Sequence, residues 1–197
     1  MNKKKLRVEL LKERELIPET QVSAKSEAIT NLLLGSNFYQ NAKSIFCFIS
    51  VKGEPDTGKV ILDAFSQGKT VYVPRTRAGR ILETVTVDSA SYKDAYGDWP
   101  LEYGIPIPPP SFKSENPAGL DLVIVPSLAI DIFGYRLGYG GGYYDSFIAK
   151  YRHKEKRPLF AAVQFSAFLR NEALPRESHD LKVDLILTED AVFTPSF

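Results

Sequence analysis

Cysteine is nearly absent. The single thiol, Cys47, allows no internal disulfide and no cysteine-based zinc cluster. It sits in the apolar run Ser44-Ile45-Phe46-Cys47-Phe48-Ile49, where a buried, inert side chain is expected rather than a nucleophile. Excess charge is absent too: 25 basic residues face 24 acidic ones, a net charge of +1. That balance argues against a nucleic-acid or membrane partner while leaving room for a local anion site. No apolar run is long enough to span a bilayer. Charged residues follow Met1-Asn2-Lys3-Lys4-Lys5, so the apolar core of a signal peptide is missing. Histidine is scarce, and neither His153 nor His179 is assigned a proton-transfer role. These absences lead to the expectation of a soluble cytoplasmic protein.

What is present is a chain with 44% hydrophobic and 12% aromatic residues, enough for a packed core. Residues 3–17 show helical spacing through Leu6, Leu10, Leu11 and Ile17, and a second helix follows Pro18 and runs to Gly35. Residues 44–50 form an apolar strand, and Glu54-Pro55-Asp56-Thr57 is a turn that caps a helix at 57–67. Strands are expected at 70–73, stopped by Pro74, and at 81–87. The proline-rich stretch 88–118 reads as an ordered loop. Asp121-Leu122-Val123-Ile124-Val125 has the continuous apolar look of a central parallel strand. A helix at about 143–151 and strands at 159–165 and 183–188 complete the chain. The alternation predicts one α/β domain over residues 1–197, a mostly parallel sheet with helices on both faces.

The chemistry concentrates in Phe133-Gly134-Tyr135-Arg136-Leu137-Gly138-Tyr139-Gly140-Gly141-Gly142-Tyr143-Tyr144-Asp145, directly after the buried strand. Ligands of open α/β sheets bind at the carboxyl ends of strands. Glycines 134, 138, 140, 141 and 142 would let backbone amides approach a phosphate without Cβ obstruction. Arg136 offers a planar fork of donors, Asp145 a hard oxygen ligand for magnesium, and the tyrosines stacking surfaces. Glycine-rich loops also simply make tight turns, and paired tyrosines often only pack. The segment matches neither a P-loop nor a Rossmann fingerprint.

The run Pro126-Ser127-Leu128-Ala129-Ile130-Asp131, followed by Arg136 through Asp145, resembles the signature of the 5-formyltetrahydrofolate cyclo-ligases, also called methenyltetrahydrofolate synthetases. The likeness extends to Lys3-Lys4-Lys5-Leu6-Arg7, Glu54-Pro55-Asp56-Thr57, Val73-Pro74-Arg75 and His179-Asp180-Leu181-Lys182-Val183-Asp184. It implies a three-layer α/β/α sandwich akin to the ribose-phosphate isomerase and CoA-transferase group. It also implies conversion of 5-formyltetrahydrofolate and ATP to 5,10-methenyltetrahydrofolate, ADP and phosphate, with Mg2+ as cofactor.

By the same resemblance, ATP is bound by Lys3, Arg7, Arg136, Leu137, Gly138, Tyr139, Gly140, Gly141, Gly142, Tyr143 and Tyr144. Arg136 and Tyr144 carry the catalytic assignment. Ile49, Glu54, Tyr139, Gly140, Gly141, Gly142 and Tyr143 contact the folate. Asp145 and Asp180 hold the metal, with Asp184 as the rival for the second position. Arg75 is a further anion contact, and Trp99 or Tyr103 covers the folate ring. Some relatives carry lysine where Gly141 stands, so that contact is missing or replaced here. Partners are expected to be small molecules only, and the protein a monomer or weak homo-oligomer. Two rivals share these features: an ATP-dependent kinase or ligase for another aromatic acid, and a non-catalytic nucleotide- or RNA-binding module.

Overall fold

The computed structural model describes residues 2–51, 53–93, 98–102, 104–117 and 119–196. Helix α1 (Lys3–Glu15) starts where the Asn2 side chain accepts hydrogen bonds from the Lys4 and Lys5 amides, at 2.8 and 3.1 Å. It is followed by α2 (Glu19–Leu34) and by a short α3 (Asn37–Asn41) capped by Ser36. Then come β1 (Ser44–Cys47), α4 (Gly58–Ser66), β2 (Thr70–Arg77) and β3 (Ile81–Val87). The stretch expected as a loop holds α5 (Ser89–Lys93), β4 (Leu101–Glu102), β5 (Ile105–Pro106) and β6 (Ser114–Glu115). Beyond it lie β7 (Leu122–Val125), β8 (Ala129–Asp131), β9 (Arg136–Leu137) and α6 (Tyr143–Ala149). The chain finishes with β10 (Leu159–Val163), β11 (Leu169–Arg170), β12 (Leu185–Leu187) and β13 (Val192–Phe193).

Eight strands make the main sheet, in the order β13-β12-β10-β7-β1-β2-β3-β6. The five central strands are parallel, and β13, β3 and β6 add antiparallel edges. Side chains of β1 alternate between two cores. Ile45 and Cys47 pack with Leu10, Ile29, Leu33 and Ile61 of α1, α2 and α4. Phe46 faces the other way, stacking on Phe147 of α6 at 4.8 Å between ring centres. Burial on both faces explains the unbroken apolar runs of the central strands. Burial also pushes the Cys47 thiol up to about 12, which leaves it protonated and inert as expected.

Two expectations are corrected. Pro74 does not stop its strand; β2 runs through it to Arg77. The parallel pairing of β2 with β1 covers only Thr70–Tyr72, whereas its antiparallel pairing with β3 continues from Val71 to Arg77. Past Tyr72 the two strands therefore form an arm free on the β1 side, where the missing amide hydrogen of proline costs no ladder bond. Arg75 is not a free anion contact. Its buried guanidinium pairs with Glu83 at 2.7 Å and donates to the carbonyls of Pro109 (2.8 Å) and Phe112 (3.1 Å). It clamps the proline-rich stretch onto the arm. Trp99 is likewise buried, edge-on to Phe112 at 5.5 Å, and Tyr103 lies outside the described residues.

Candidate functional site

The glycine-rich loop is shaped by a buried aspartate. Asp131, at the end of β8, accepts hydrogen bonds from the amides of Phe133 (3.1 Å), Tyr135 (2.9 Å) and Leu174 (2.9 Å). This turn sends β9 back along β8 and delivers Gly138–Gly142 beyond the end of the sheet. Gly140 and Gly142 adopt φ of 109° and 68°, where a side chain would be strained. A Cβ on Gly141 would lie 2.7 Å from the Tyr143 ring, so that ring occupies the space a lysine would need.

One end of the loop meets a cluster of mixed charge. Lys3 Nζ sits 2.6 Å from Asp180 Oδ2 and 3.6 Å from Glu177. Arg7 Nε donates to the Gly138 carbonyl at 2.8 Å. Lys3, Lys4, Arg7 and Arg176 share the rim of one open depression with Glu177. Asp145, in the first turn of α6, accepts from the Leu181 amide at 3.1 Å, which draws the segment carrying Asp180 against the start of that helix. Burial opposes ionisation of Asp180, yet the Lys3 ammonium and the Glu177 amide hold it below the usual carboxylate range.

Arg136 differs from expectation. Its fork faces protein: Nη1 donates to the Leu181 carbonyl at 3.0 Å and Nη2 lies 3.1 Å from Asp145 Oδ1. The guanidinium is buried, and burial pulls its pKa down against the pull of Asp145. Here it positions Asp145 and the Asp180 segment; it does not present donors to open space. Asp184 is also fully employed. It pairs with both terminal nitrogens of Arg157, at 2.9 and 2.7 Å, and accepts from the Phe160 amide at 2.9 Å. That engagement ties Asp184 to β10 and Arg157, away from the Lys3 and Asp145 partners of the Asp180 segment.

The other end of the loop meets Glu54, whose carboxylate is 5% exposed. It accepts from the Val51 amide at 3.0 Å and from the Tyr139 hydroxyl. Burial raises the Glu54 pKa, opposed by Tyr139, Val51 and Arg14. Arg14 escaped the sequence reading. From α1 it lies 3.8 Å from Glu54, donates to the Tyr139 hydroxyl at 3.0 Å, and anchors on the carbonyls of Ser127 (2.7 Å) and Leu128 (3.3 Å). A signal existed: Arg14 follows Leu10 by four positions, which puts a charge on the buried face of an amphipathic helix. Ile49 is buried in the core nearby.

Tyr144 connects the two ends. Its ring is tilted over Phe46 at 6.3 Å, and its buried hydroxyl has no hydrogen-bond partner among the described residues. Burial lifts its pKa far above the ordinary phenol value, with Cys47 and Glu54 adding to the effect and Arg136 opposing it. A buried orphan donor between two charged clusters is the kind of group that a bound ligand satisfies.

Two hard carboxylates that meet through Leu181 suit magnesium, which takes few protein oxygens and completes its shell with water and phosphate. Among the described residues, no group of three or more His, Cys, Asp or Glu could hold a metal ion. Asp145 and Asp180 would hold such an ion only together with a phosphate-bearing ligand.

Known proteins share this arrangement of chain and fold. A mouse 5-formyltetrahydrofolate cyclo-ligase is 30% identical over 96% of this chain and 94% of its own length. The Escherichia coli 5-formyltetrahydrofolate cyclo-ligase is 27% identical, covering 91% and 96%. The solved structure of Aquifex aeolicus 5,10-methenyltetrahydrofolate synthetase superposes with a TM-score of 0.79 at 26% identity, covering 98% of this chain and 93% of that one. The Mycoplasma pneumoniae synthetase, 16% identical, shares the fold with a TM-score of 0.74. The family model for 5-formyltetrahydrofolate cyclo-ligases matches residues 1–189, and this chain belongs to that family.

Proposed function

We propose that the protein closes 5-formyltetrahydrofolate to 5,10-methenyltetrahydrofolate, using ATP and magnesium and releasing ADP and phosphate. The observation that carries this reading is the loop between two unlike charge clusters. At one end Glu54, Arg14 and Tyr139 form a buried polar set. At the other, Lys3, Lys4, Arg7 and Arg176 rim an open depression, with Asp180 paired to Lys3 and Asp145 joined to the Asp180 segment through the Leu181 amide. The first suits a flat heterocycle with ring donors; the second suits a magnesium-bound triphosphate.

The formyl group is an amide, whose carbon is a poor electrophile and whose oxygen is a poor leaving group. Transfer of the γ-phosphoryl of ATP to that oxygen expels ADP and leaves an iminium-like carbon. The neighbouring folate nitrogen then attacks, loses its proton, and phosphate departs as the ring closes. Because this step is intramolecular, proximity contributes strongly, with effective molarities on the order of 10⁵ M or more in well-oriented cases.

The protein's own residues hold the geometry. Glu54 accepts from the heterocycle, Arg14 opposes the neutralisation of Glu54 and keeps Tyr139 aimed, and Tyr144 donates its hydroxyl into the space between the two ligands. Lys3 and Arg7 neutralise phosphate charge. Magnesium, held by Asp145 and Asp180, would supply charge neutralisation on the transferring phosphoryl.

Following the absorbance of the methenyl product with ATP and magnesium varied separately tests this reading. One ADP per ring closed is the expected stoichiometry. Full turnover in EDTA, or closure without ADP, refutes it, and ADP release with other aromatic acids but no methenyl product favours a different ligase or kinase.

A further inference from the structure

Arg136 faces protein, which leaves the expected phosphate-facing guanidinium unaccounted for. The arm formed by β2 and β3 carries a replacement. Because β2 runs parallel to β1 and continues past it, the arm projects beyond the carboxyl ends of the central strands, where ligands of such sheets bind. Its tip is Ala78-Gly79-Arg80. There Arg80 has φ of 60°, the one described residue other than glycine with positive φ. Turn positions of this kind favour glycine or asparagine, and a longer side chain costs about 1–2 kcal/mol.

The tip lies against the glycine-rich loop. Leu82 of β3 shares a core with Phe147 and Ile148 of α6, which fixes the arm across the loop. A Cβ on Gly142 would lie 3.4 Å from Arg80 Cδ and 3.6 Å from its Nε. A Cβ on Gly140 would likewise lie 3.5 Å from Arg7 Cζ. Two arginines from distant parts of the chain thus lie within contact distance of two glycines two residues apart. Arg7 is tied to the Gly138 carbonyl, whereas Arg80 is exposed and makes no ion pair or hydrogen bond among the described residues. Its donors are free for a ligand.

We propose that Arg80 is a phosphate-binding residue that reaches from the tip of the β2–β3 arm to the polyphosphate held on the glycine-rich loop. The inference rests on the ATP reading above. It gives the left-handed arginine a reason: glycine would relax the turn but bring no charge. Gly142 owes its lack of a side chain to its φ of 68°, and the arginine stem lies at van der Waals distance above it.

Calorimetric binding of ATP and of 5-formyltetrahydrofolate to wild type, Arg80→Gly and Arg80→Ala tests the assignment. Losing charge-assisted hydrogen bonds should weaken ATP by about tenfold to a hundredfold in both variants. Folate affinity should hold, and the glycine variant should melt no lower than wild type. Wild-type ATP affinity in Arg80→Gly overturns the proposal. Equal loss of ATP and folate affinity also overturns it, because the arginine would then only support the loop. If wild type itself fails to bind ATP, the nucleotide reading falls, and Arg80 falls with it.

Discussion

The two ends of the glycine-rich loop carry ion pairs of different construction. Arg14 and Glu54 are both sealed from water, with side chains 3% and 5% exposed, and are held apart at 3.8 Å by the geometry around Tyr139. Lys3, on the rim of an open depression, touches Asp180 at 2.6 Å, and their side chains are 15% and 11% exposed. The sealed carboxylate is pushed toward its neutral form, and the open one is held in its charged form. The physical lesson concerns exchange. A site that trades a hydrated ion and its nucleotide on each turnover needs charges that stay charged in water. A site that recognises a fixed pattern of donors gains from a dry acceptor, where each hydrogen bond is stronger and each mismatch costs more.

The sharpest way to break this contrast is to remove Arg14. In Arg14→Met the Glu54 charge loses its buried partner, and loss of about 3–5 kcal/mol is expected from denaturant unfolding near pH 8. The folded state already binds the Glu54 proton more readily than the unfolded chain. Its contribution is therefore fully present below the unfolded carboxylate value and is lost as pH rises through the raised folded value. Without Arg14 that raised value moves further up, so the defect should shrink toward pH 5. A defect of equal size at both pH values would show that Arg14 acts by packing, not by charge.

Next in size is the dry acceptor itself. Glu54→Gln replaces one acceptor oxygen with a donor facing donors, a buried mismatch of about 1–3 kcal/mol, roughly five- to 150-fold in folate affinity. ATP affinity should be unchanged. Calorimetry that finds folate binding intact would return Glu54 to a turn residue bonded to Val51.

At the wet end, Asp145→Asn and Asp180→Asn should each raise the magnesium needed for half-maximal rate by about tenfold, as losing a metal-positioning partner does. Under the proposed function the pair shares one ion, so the double variant should lose less than the product of the two. Strict multiplicativity would separate their roles. Asp180→Asn should also flatten acid unfolding. Its lowered value contributes stability above the unfolded carboxylate range, and that stability is lost as pH falls below about 4.

The smallest effect is expected at Asp184, where Asp184→Asn breaks a half-exposed pair with Arg157 worth about 1 kcal/mol or less. Its magnesium requirement should match wild type. A magnesium defect here, with none in Asp145→Asn, would move the ion to the other aspartate.

Much of this contrast was legible in advance because its residues sit in contiguous segments. Five glycines in nine positions and the acidic turn after β1 can be read along the chain, as can the apolar runs of β1 and β7. The β3 strand, read from alternation as 81–87, is found at those bounds. Arg14 was hidden because a helix spaced every 3.6 residues offers many basic positions, and only packing shows which one turns inward. Pro74 misled because proline forbids a ladder bond only where a neighbour strand exists.

Sequence by itself determined the parallel core and the loop, since periodicity, apolar runs and glycine content are local properties, and the contiguous motif Arg136–Asp145 carried the family likeness. Which way each charge faces was decided by tertiary structure alone. Arg136, Arg75, Arg7 and Arg80 are chemically identical, yet the first two are locked onto carbonyls and carboxylates inside the protein. Arg7 is tied to the loop and Arg80 lies open beside it. A guanidinium bonds whatever acceptors surround it, and those acceptors come from strands and helices far away in the chain.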